Sequence, residues 1–552
     1  MSKKAKKNLV SKILPFLIIF LFSFPAFKSL LKPGFYDTHD GLQHLERFIH
    51  FQKAIKAGQI IPRWASDAFA GYGTPIFNFN WNLPYYLGFF LHLLGISYPN
   101  VFKIFMFISI PLSGFFMFLW LRKKIGQWPA ITSAIFYIYT PYRFLDIYVR
   151  GALGEALAFV FIPLIFWSLD NSSKKKFFIL GSLSFAVLIL THNAFALIML
   201  LVYASYTFLL KDLLLPKIKT LFFGLGLSSF LWIPAILESR FMNYPTFSQK
   251  NLSFVPFLAL IRSKWEGGSV FNGQKIMMSF QIGLAQLLIL FLVVLLLGWK
   301  LFFKKKKIKD LKLVLFFLSW FFITLFFLAE ISKPVWLILP LFKNFVFAFR
   351  MLFLIVLTTA VLAGLLIKKL RFKALISLLF ILLVIFANRN HLRSQPQSLS
   401  MESLAKKASS LDIGGEFLPK WTKIERLKEL RQEDRQEIEI IKGNAEVLEI
   451  LRLPLQTQAT IKSEEELLLR FKRLYFPGWQ LTINKEQQPI LFEQEGDGGI
   501  IYAKVSKGEN HLVLEFKNTL PRILGNLTSL IFVLLLIINI RKPFSLKNKS
   551  LK

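Results

Sequence analysis

The sequence predicts an α-helical polytopic membrane protein of about twelve transmembrane helices, with a β-sandwich-like module held outside the membrane near its C-terminus. Three observations carry that expectation. Runs such as 281–299, IGLAQLLILFLVVLLLGWK, match the about 20 apolar residues that a bilayer core takes, and 54% of the chain is hydrophobic with only 18% charged. Basic residues gather in short clusters between the oily runs, at 3–7, 122–124, 174–176, 304–307, 368–373 and 541–552. From about residue 389 the texture changes to stretches that alternate with a strand period.

The clusters orient the chain. A net charge of +36 over 552 residues would suit nucleic acid if it lay on one face; divided among short loops it is the positive-inside pattern, and no nucleic-acid partner is expected. The absence of Cys excludes disulfides, thiol catalysis and Cys-ligated metal. The first oily segment, 13–31, has a basic flank and no small-residue cleavage site, so it reads as a retained anchor. Further spans fall near 99–121, 128–143, 153–169, 177–192, 194–210, 219–237, 281–300, 311–328, 349–367, 374–388 and 521–540. Both termini then lie in the cytoplasm, with the protein resident in the cytoplasmic membrane. Segment 83–96, oily but short, is laid along the outer interface.

This divides the chain into a transmembrane domain, 1–388, with a large outer loop at 32–98; an extracytoplasmic linker and β-rich module, 389–520; and a final span with a basic tail, 521–552. The module's strands are read at 436–442, 445–453, 479–484, 499–505 and 511–517, separated by PGW, GDGG and KGEN turns, after a Ser-rich linker at 389–410. Of the twelve acids in residues 1–387, nine fall on the expected outer side and only Asp170, Asp212 and Asp310 inside. Acids carry little topological signal. A carboxylate-using site facing outward would explain the bias.

The stretch YDTHDGLQHLERFIHF, 36–51, follows the first span and opens that site. Leu42, Leu45, Phe48, Ile49 and Ile55 recur at helical spacing, which predicts an amphipathic helix over 41–57 lying on the membrane. Asp40 followed by Gln43 fits a capping box, with Gly58 closing the helix, so Asp40 is either a cap or a chemical group; Asp37 is not needed for the cap. His39, His44 and Arg47 are either solvated or turned to a ligand. The loop that follows holds Asn78, Asn80, Trp81 and Tyr85, the residue types that stack on sugars and bond hydroxyls. A second cluster, YRFLDIYVRGALGEALAFVF, sets Asp146, Arg150 and Glu155 at the outer mouth of two spans. A carboxylate in so apolar a run is functional by default or is ion-paired to Arg150. His192 and Arg350 sit at the same boundary, Arg350 as a phosphate ligand or an interfacial anchor.

The segments HDGLQHLERF, IPRWASDAFAGYGTPIFNF, LPYYLGFFLHLLG, PYRFLDIYVRGALGEALAFVFIPLIFW, THNAFAL and FLWIPAILESRF, together with 475–526, resemble a family of prokaryotic membrane proteins labelled 6-pyruvoyl-tetrahydropterin synthase-related. That family is similar in layout to the GT-C glycosyltransferases; no soluble pterin-synthase pattern accompanies it. The resemblance covers most of 30–240, while 241–345 matches in hydropathy alone. It implies a GT-C-like fold, a sugar donor on a polyprenyl phosphate, and an Asp of the first outer loop as catalytic base or metal ligand, which here is Asp40. The paired Asp-Asp or Asp-x-Asp of metal-using members is replaced by Asp37-x-x-Asp40, so a divalent cation, Mg or Mn, held by these two is left open.

The expected activity is transfer of a sugar from that lipid donor to a cell-envelope glycan, lipid or protein, with inversion. Asp40 takes the acceptor proton, with Asp37 and Glu155 as the other catalytic carboxylates. His39, His44, Arg47, Asn78, Asn80, Tyr85, Asp146, Arg150, His192 and Arg350 are the expected substrate contacts. Arg350, with Arg143 and Arg150, would stabilise the departing phosphate. A non-catalytic scaffold of envelope assembly and a lipid-linked-sugar flippase are the rival classes; span centres almost free of charge count against the flippase.

Overall fold

The computed structural model describes residues 3–210, 212–243, 252–265, 278–300, 310–339, 347–396, 417–423, 425, 429, 436–494 and 496–541. All twelve segments expected to span are helical. Among the described residues seven helices are long and apolar enough to cross a bilayer, or eight if one bent pair is counted as a span, so a count of twelve is not reached by that measure. The four remaining segments form helices of 12 residues (Gln127–Ile138), 17 (Lys175–Thr191), 17 (Asn193–Leu209) and 16 (Leu284–Trp299). Many of the long helices present Leu, Ile and Phe outward, which identifies a multi-pass membrane protein rather than a water-soluble bundle.

The helix ending at Lys368 is the centre of the bundle, 94% of its apolar window buried; the last helix, Leu520–Arg541, lies at the periphery with 17% buried. The helix Tyr98–Ile125 packs along Leu153–Asp170 and Gln127–Ile138. At one end of the bundle acids meet basic-cluster residues, Lys124 with Asp170 at 3.0 Å and Lys368 with Asp310 at 2.8 Å. The expected span 219–237 is broken at Ser228 into Leu214–Leu227 and a helix starting at Ser229, bent by 69°. The freed backbone is satisfied across a helix interface: Phe230 N–H donates to Ser529 Oγ at 2.9 Å.

The β-module stands at the opposite end. Numbered in chain order, β1 (Tyr36–Asp37) pairs with β2 (Gln395–Pro396) beside the bundle. The module proper runs β3 Ile438–Lys442, β4 Ala445–Leu453, β5 Gln456–Ser463, β6 Leu467–Leu474, β7 Trp479–Ile483, β8 Glu486–Gln488, β9 Ile500–Val505 and β10 Gly508–Phe516. They form antiparallel sheets ordered β4-β5-β10-β7-β8 and β3-β6-β9. Strict alternation buries Ala459, Ile461, Leu469, Phe471, Leu481, Leu512 and Leu514 as their core. Asn484 and Lys485, both at positive φ, make the two-residue turn that joins β7 to β8. Of the expected linker only 389–396 falls within the described residues, as do none of 304–307, 542–552 and Glu266.

The helix Gly41–Lys56 corrects one expectation. It does not lie on a membrane surface with its charges outward, because Glu46, Arg47 and His50 are buried along with Leu45, Phe48 and Phe51. The loop 59–82 and the short helix Leu83–Leu93 wrap it, with Phe48 on Tyr85 and Tyr98 and Phe51 on Phe77. That loop is wedged between bundle and module: Leu474 N–H donates to Tyr72 O at 2.9 Å, and Thr74 Oγ1 to Phe417 O at 2.7 Å.

Candidate functional site

The site grows from the start of the helix Gly41–Lys56. A helix leaves its first N–H groups without intrahelical partners, and each needs an acceptor. Here His39 N–H donates to Val149 O at 3.0 Å, Asp40 N–H to Arg150 O at 2.8 Å, and Gly41 N–H to Thr38 Oγ1 at 3.1 Å. The capping box read from Asp40 and Gln43 is therefore not formed; Asp40 makes no side-chain cap bond. Half-buried, its carboxylate makes no hydrogen bond or ion pair among the described residues. It sits at the N-terminal cap position of the helix, where the macrodipole favours negative charge.

The carbonyls that hold this turn belong to a π-helical segment, Leu145–Arg150, closed by Gly151 at φ +67°. The same segment organises a buried ionic cluster. Arg150 Nη1 lies 2.7 Å from Asp146 Oδ1 and 2.9 Å from Glu155 Oε2. Arg350 Nε donates to Glu155 Oε1 at 3.0 Å, and Tyr142 Oη to Glu155 Oε2 at 2.7 Å. Glu155 is thus ion-paired to Arg150, and to Arg350, nearly 200 residues away, which sequence spacing did not connect to it. Arg143 lies behind, its guanidinium 4.2 Å from the Phe159 ring and bonded to Ala156 O. Three guanidinium groups therefore face two carboxylates. The Nη atoms of Arg350 have no partner among the described residues, and its side chain keeps 18% of its surface exposed.

His192 uses both ring nitrogens. Nδ1 accepts from Phe195 N–H at 3.1 Å, capping the helix Asn193–Leu209, so the neutral ring carries its proton on Nε2, which faces Glu155 Oε1 at 3.7 Å. Trp81 stacks flat on Tyr85, 5.2 Å between centroids, and approaches His192 at 6.5 Å. His44 Nδ1 is 3.0 Å from Tyr85 Oη; burial, then the nearby Arg47 and Arg150 guanidiniums, hold its imidazole well below the usual histidine range and keep it neutral. Asn80 is buried beside them, its side-chain amide within reach of the Tyr85 hydroxyl.

The expected residues divide in two. Asp40, His44, Tyr85, Asp146, Arg150, Glu155, His192 and Arg350 are brought together at one end of the bundle, with Asn80 and Arg47 bordering them. Asn78 is placed elsewhere: its Nδ2 donates to Glu238 Oε2 at 2.6 Å and its Oδ1 accepts from Arg63 at 3.2 Å. Asp37, in β1, and His39, just after it, are exposed. Among the described residues no three His, Asp or Glu side chains gather as a metal centre. Thr38 and Tyr142 belong to the site and were missed. A Thr two residues before the presumed cap was the one available signal.

No protein-family model matches the chain. A protein of Lactococcus lactis subsp. cremoris (strain MG1363), described as uncharacterized, is 24% identical over 281 residues, covering 47% of this chain and 45% of that protein, so the match spans under half of the relative. Among solved structures, an oligosaccharyltransferase of Archaeoglobus fulgidus in complex with zinc and sulfate is 14% identical with a TM-score of 0.38, covering 72% of this chain and 57% of that one. A likeness that slight carries no inference about chemistry.

Proposed function

We propose that this chain is a GT-C-like membrane glycosyltransferase that moves a sugar from a polyprenyl-phosphate donor to a cell-envelope glycan, lipid or protein on the outer face of the cytoplasmic membrane. One observation carries the proposal: with the Gly41 N–H taken by Thr38, the Asp40 carboxylate makes no cap bond and no ion pair among the described residues, while its backbone is bonded to Arg150 of the cationic cluster. In the proposed step Asp40 accepts the proton of the acceptor hydroxyl as its oxygen attacks the anomeric carbon. The bond to the lipid phosphate breaks with its electron pair on the phosphate oxygen, and the sugar carbon inverts. The Nη pair of Arg350, without a hydrogen-bond partner among the described residues, meets the developing phosphate charge. Glu155 then acts by holding Arg350 and Arg150 in place, while Tyr85, Asn80, His44 and Trp81 line the side on which the sugar is held. A divalent cation on Asp37 and Asp40 would have to complete its oxygen shell with phosphate and water, and the step is written without it.

The test is transfer of labelled sugar from synthetic polyprenyl-phosphate sugars by proteoliposomes. Asp40→Asn is expected to lower turnover by about a thousandfold or more, within the range of lost general-base catalysis, with unchanged expression and melting. Transfer at a normal rate by Asp40→Asn would overturn Asp40 as the base, and no transfer by the parent protein from any of these donors would leave the chain a non-catalytic scaffold.

A further inference from the structure

We infer that Thr38 is a positioning residue, whose hydroxyl competes with Asp40 for the helix start and thereby keeps the Asp40 carboxylate available. The inference rests on the proposed role of Asp40 for its consequence, though not for its geometry. Two side chains at the start of this helix are of capping type, Thr38 and Asp40. Thr38 can accept from Gly41 N–H, and Asp40 can accept from the N–H groups two and three residues on, the arrangement that Gln43 would complete. In the structure the first is formed at 3.1 Å and the second is not.

Two further observations show that the choice is built in. Val149 O and Arg150 O take the N–H groups of His39 and Asp40, so Asp40, at the cap position, is held with helical rather than extended backbone (φ −105°, ψ −6°), and its side chain makes no cap bond. Gly41 and Gly151 then close around the Thr38 side chain. A Cβ at Gly151 would lie 2.5 Å from Thr38 Oγ1 and 2.8 Å from its Cβ, and one at Gly41 would collide with the same hydroxyl. Gly151 also needs its positive φ of 67°. A threonine enclosed by two glycines and bonded to the turn that presents Asp40 is a fixed part, not a solvated side chain.

The experiment reads Asp40 directly. Full-length protein in nanodiscs is treated with a carbodiimide and an amine, and modification of Asp40 is followed by mass spectrometry alongside sugar transfer. Thr38→Val, which keeps the shape and loses the acceptor, is expected to lower Asp40 modification roughly fivefold, the equilibrium weight of one cap, and to lower transfer with it. Thr38→Ser restores both. If the Val variant does not fold, Thr38→Asn against Thr38→Ala replaces the pair, Asn being a second capping residue that is expected to preserve modification. Unchanged modification in Val, or in Ala where Val does not fold, overturns the inference. Modification that falls while Asp40→Asn still transfers sugar sustains the Thr38 contact and overturns the proposed role of Asp40.

Discussion

At the scale of single residues the site turns on which atoms are already occupied. Arg350 spends its Nε on Glu155 and keeps its two Nη atoms unpartnered among the described residues. A planar guanidinium does both at once because its donors diverge from one rigid plane; a lysine has a single nitrogen and must choose. Arg350→Lys is therefore expected to lower transfer about tenfold or more with expression unchanged, the loss falling on turnover more than on apparent donor affinity, because the phosphate contact strengthens as charge develops. Steady-state kinetics at varied donor concentration reads the split. Equal rates for Lys and Arg would make residue 350 an ordinary interfacial anchor.

Between elements, four sequence segments that stand out by motif converge on a clasp, apart from Asp40. Glu238, at the end of the bent helix pair, is buried and accepts from Asn78 of the loop and from Arg522 Nε at 3.1 Å, with Thr519 as a third donor. Arg522 in turn donates to Pro477 O at 2.8 Å, in the turn between β6 and β7, and Arg63 reaches Phe230 O at 2.7 Å. Loop, bent pair, last helix and β-module are joined at one carboxylate. Glu238→Ala leaves the fully buried Arg522 unpaired, which costs about 3–5 kcal/mol. A lowered melting temperature, with new protease cleavage in the module before the bundle melts, is the expected result. A melt within a degree of the parent protein would mean that the contacts between sheets and loop hold the module alone.

For the whole molecule, the acids that pair with basic clusters lie at one end of the bundle, and the β-module with the Asp40 cluster lies at the other. If the clusters are cytoplasmic, as the positive-inside rule expects, the module and the site face outward together. Protease added to intact right-side-out cells is then expected to cleave within 389–520 and to spare the loops at 122–124 and 174–176. Protection of the module under those conditions would invert the orientation and remove the outer-face donor from the proposal.

Hydropathy, basic clusters and strand alternation are local, additive signals, and by themselves they determined that the chain is a helical membrane protein, where most of its long apolar helices fall, and that a β-rich region lies beyond them toward the C-terminus. They also singled out Asp40, Glu155 and Arg350. What those residues are bonded to was decided by the tertiary structure alone. The sequence points to Asp40 as the cap; in the structure the carbonyls of Val149 and Arg150, more than 100 residues away, fix the turn before the helix, and Thr38 takes the Gly41 N–H instead. The 3.6-residue period of Gly41–Lys56 marks one apolar face correctly, yet its charged face is buried too, because the loop 59–82 folds over it. Helical spacing reports what a segment can bury. Which partner arrives to be buried against it depends on contacts between distant segments, and no short stretch of sequence carries that information.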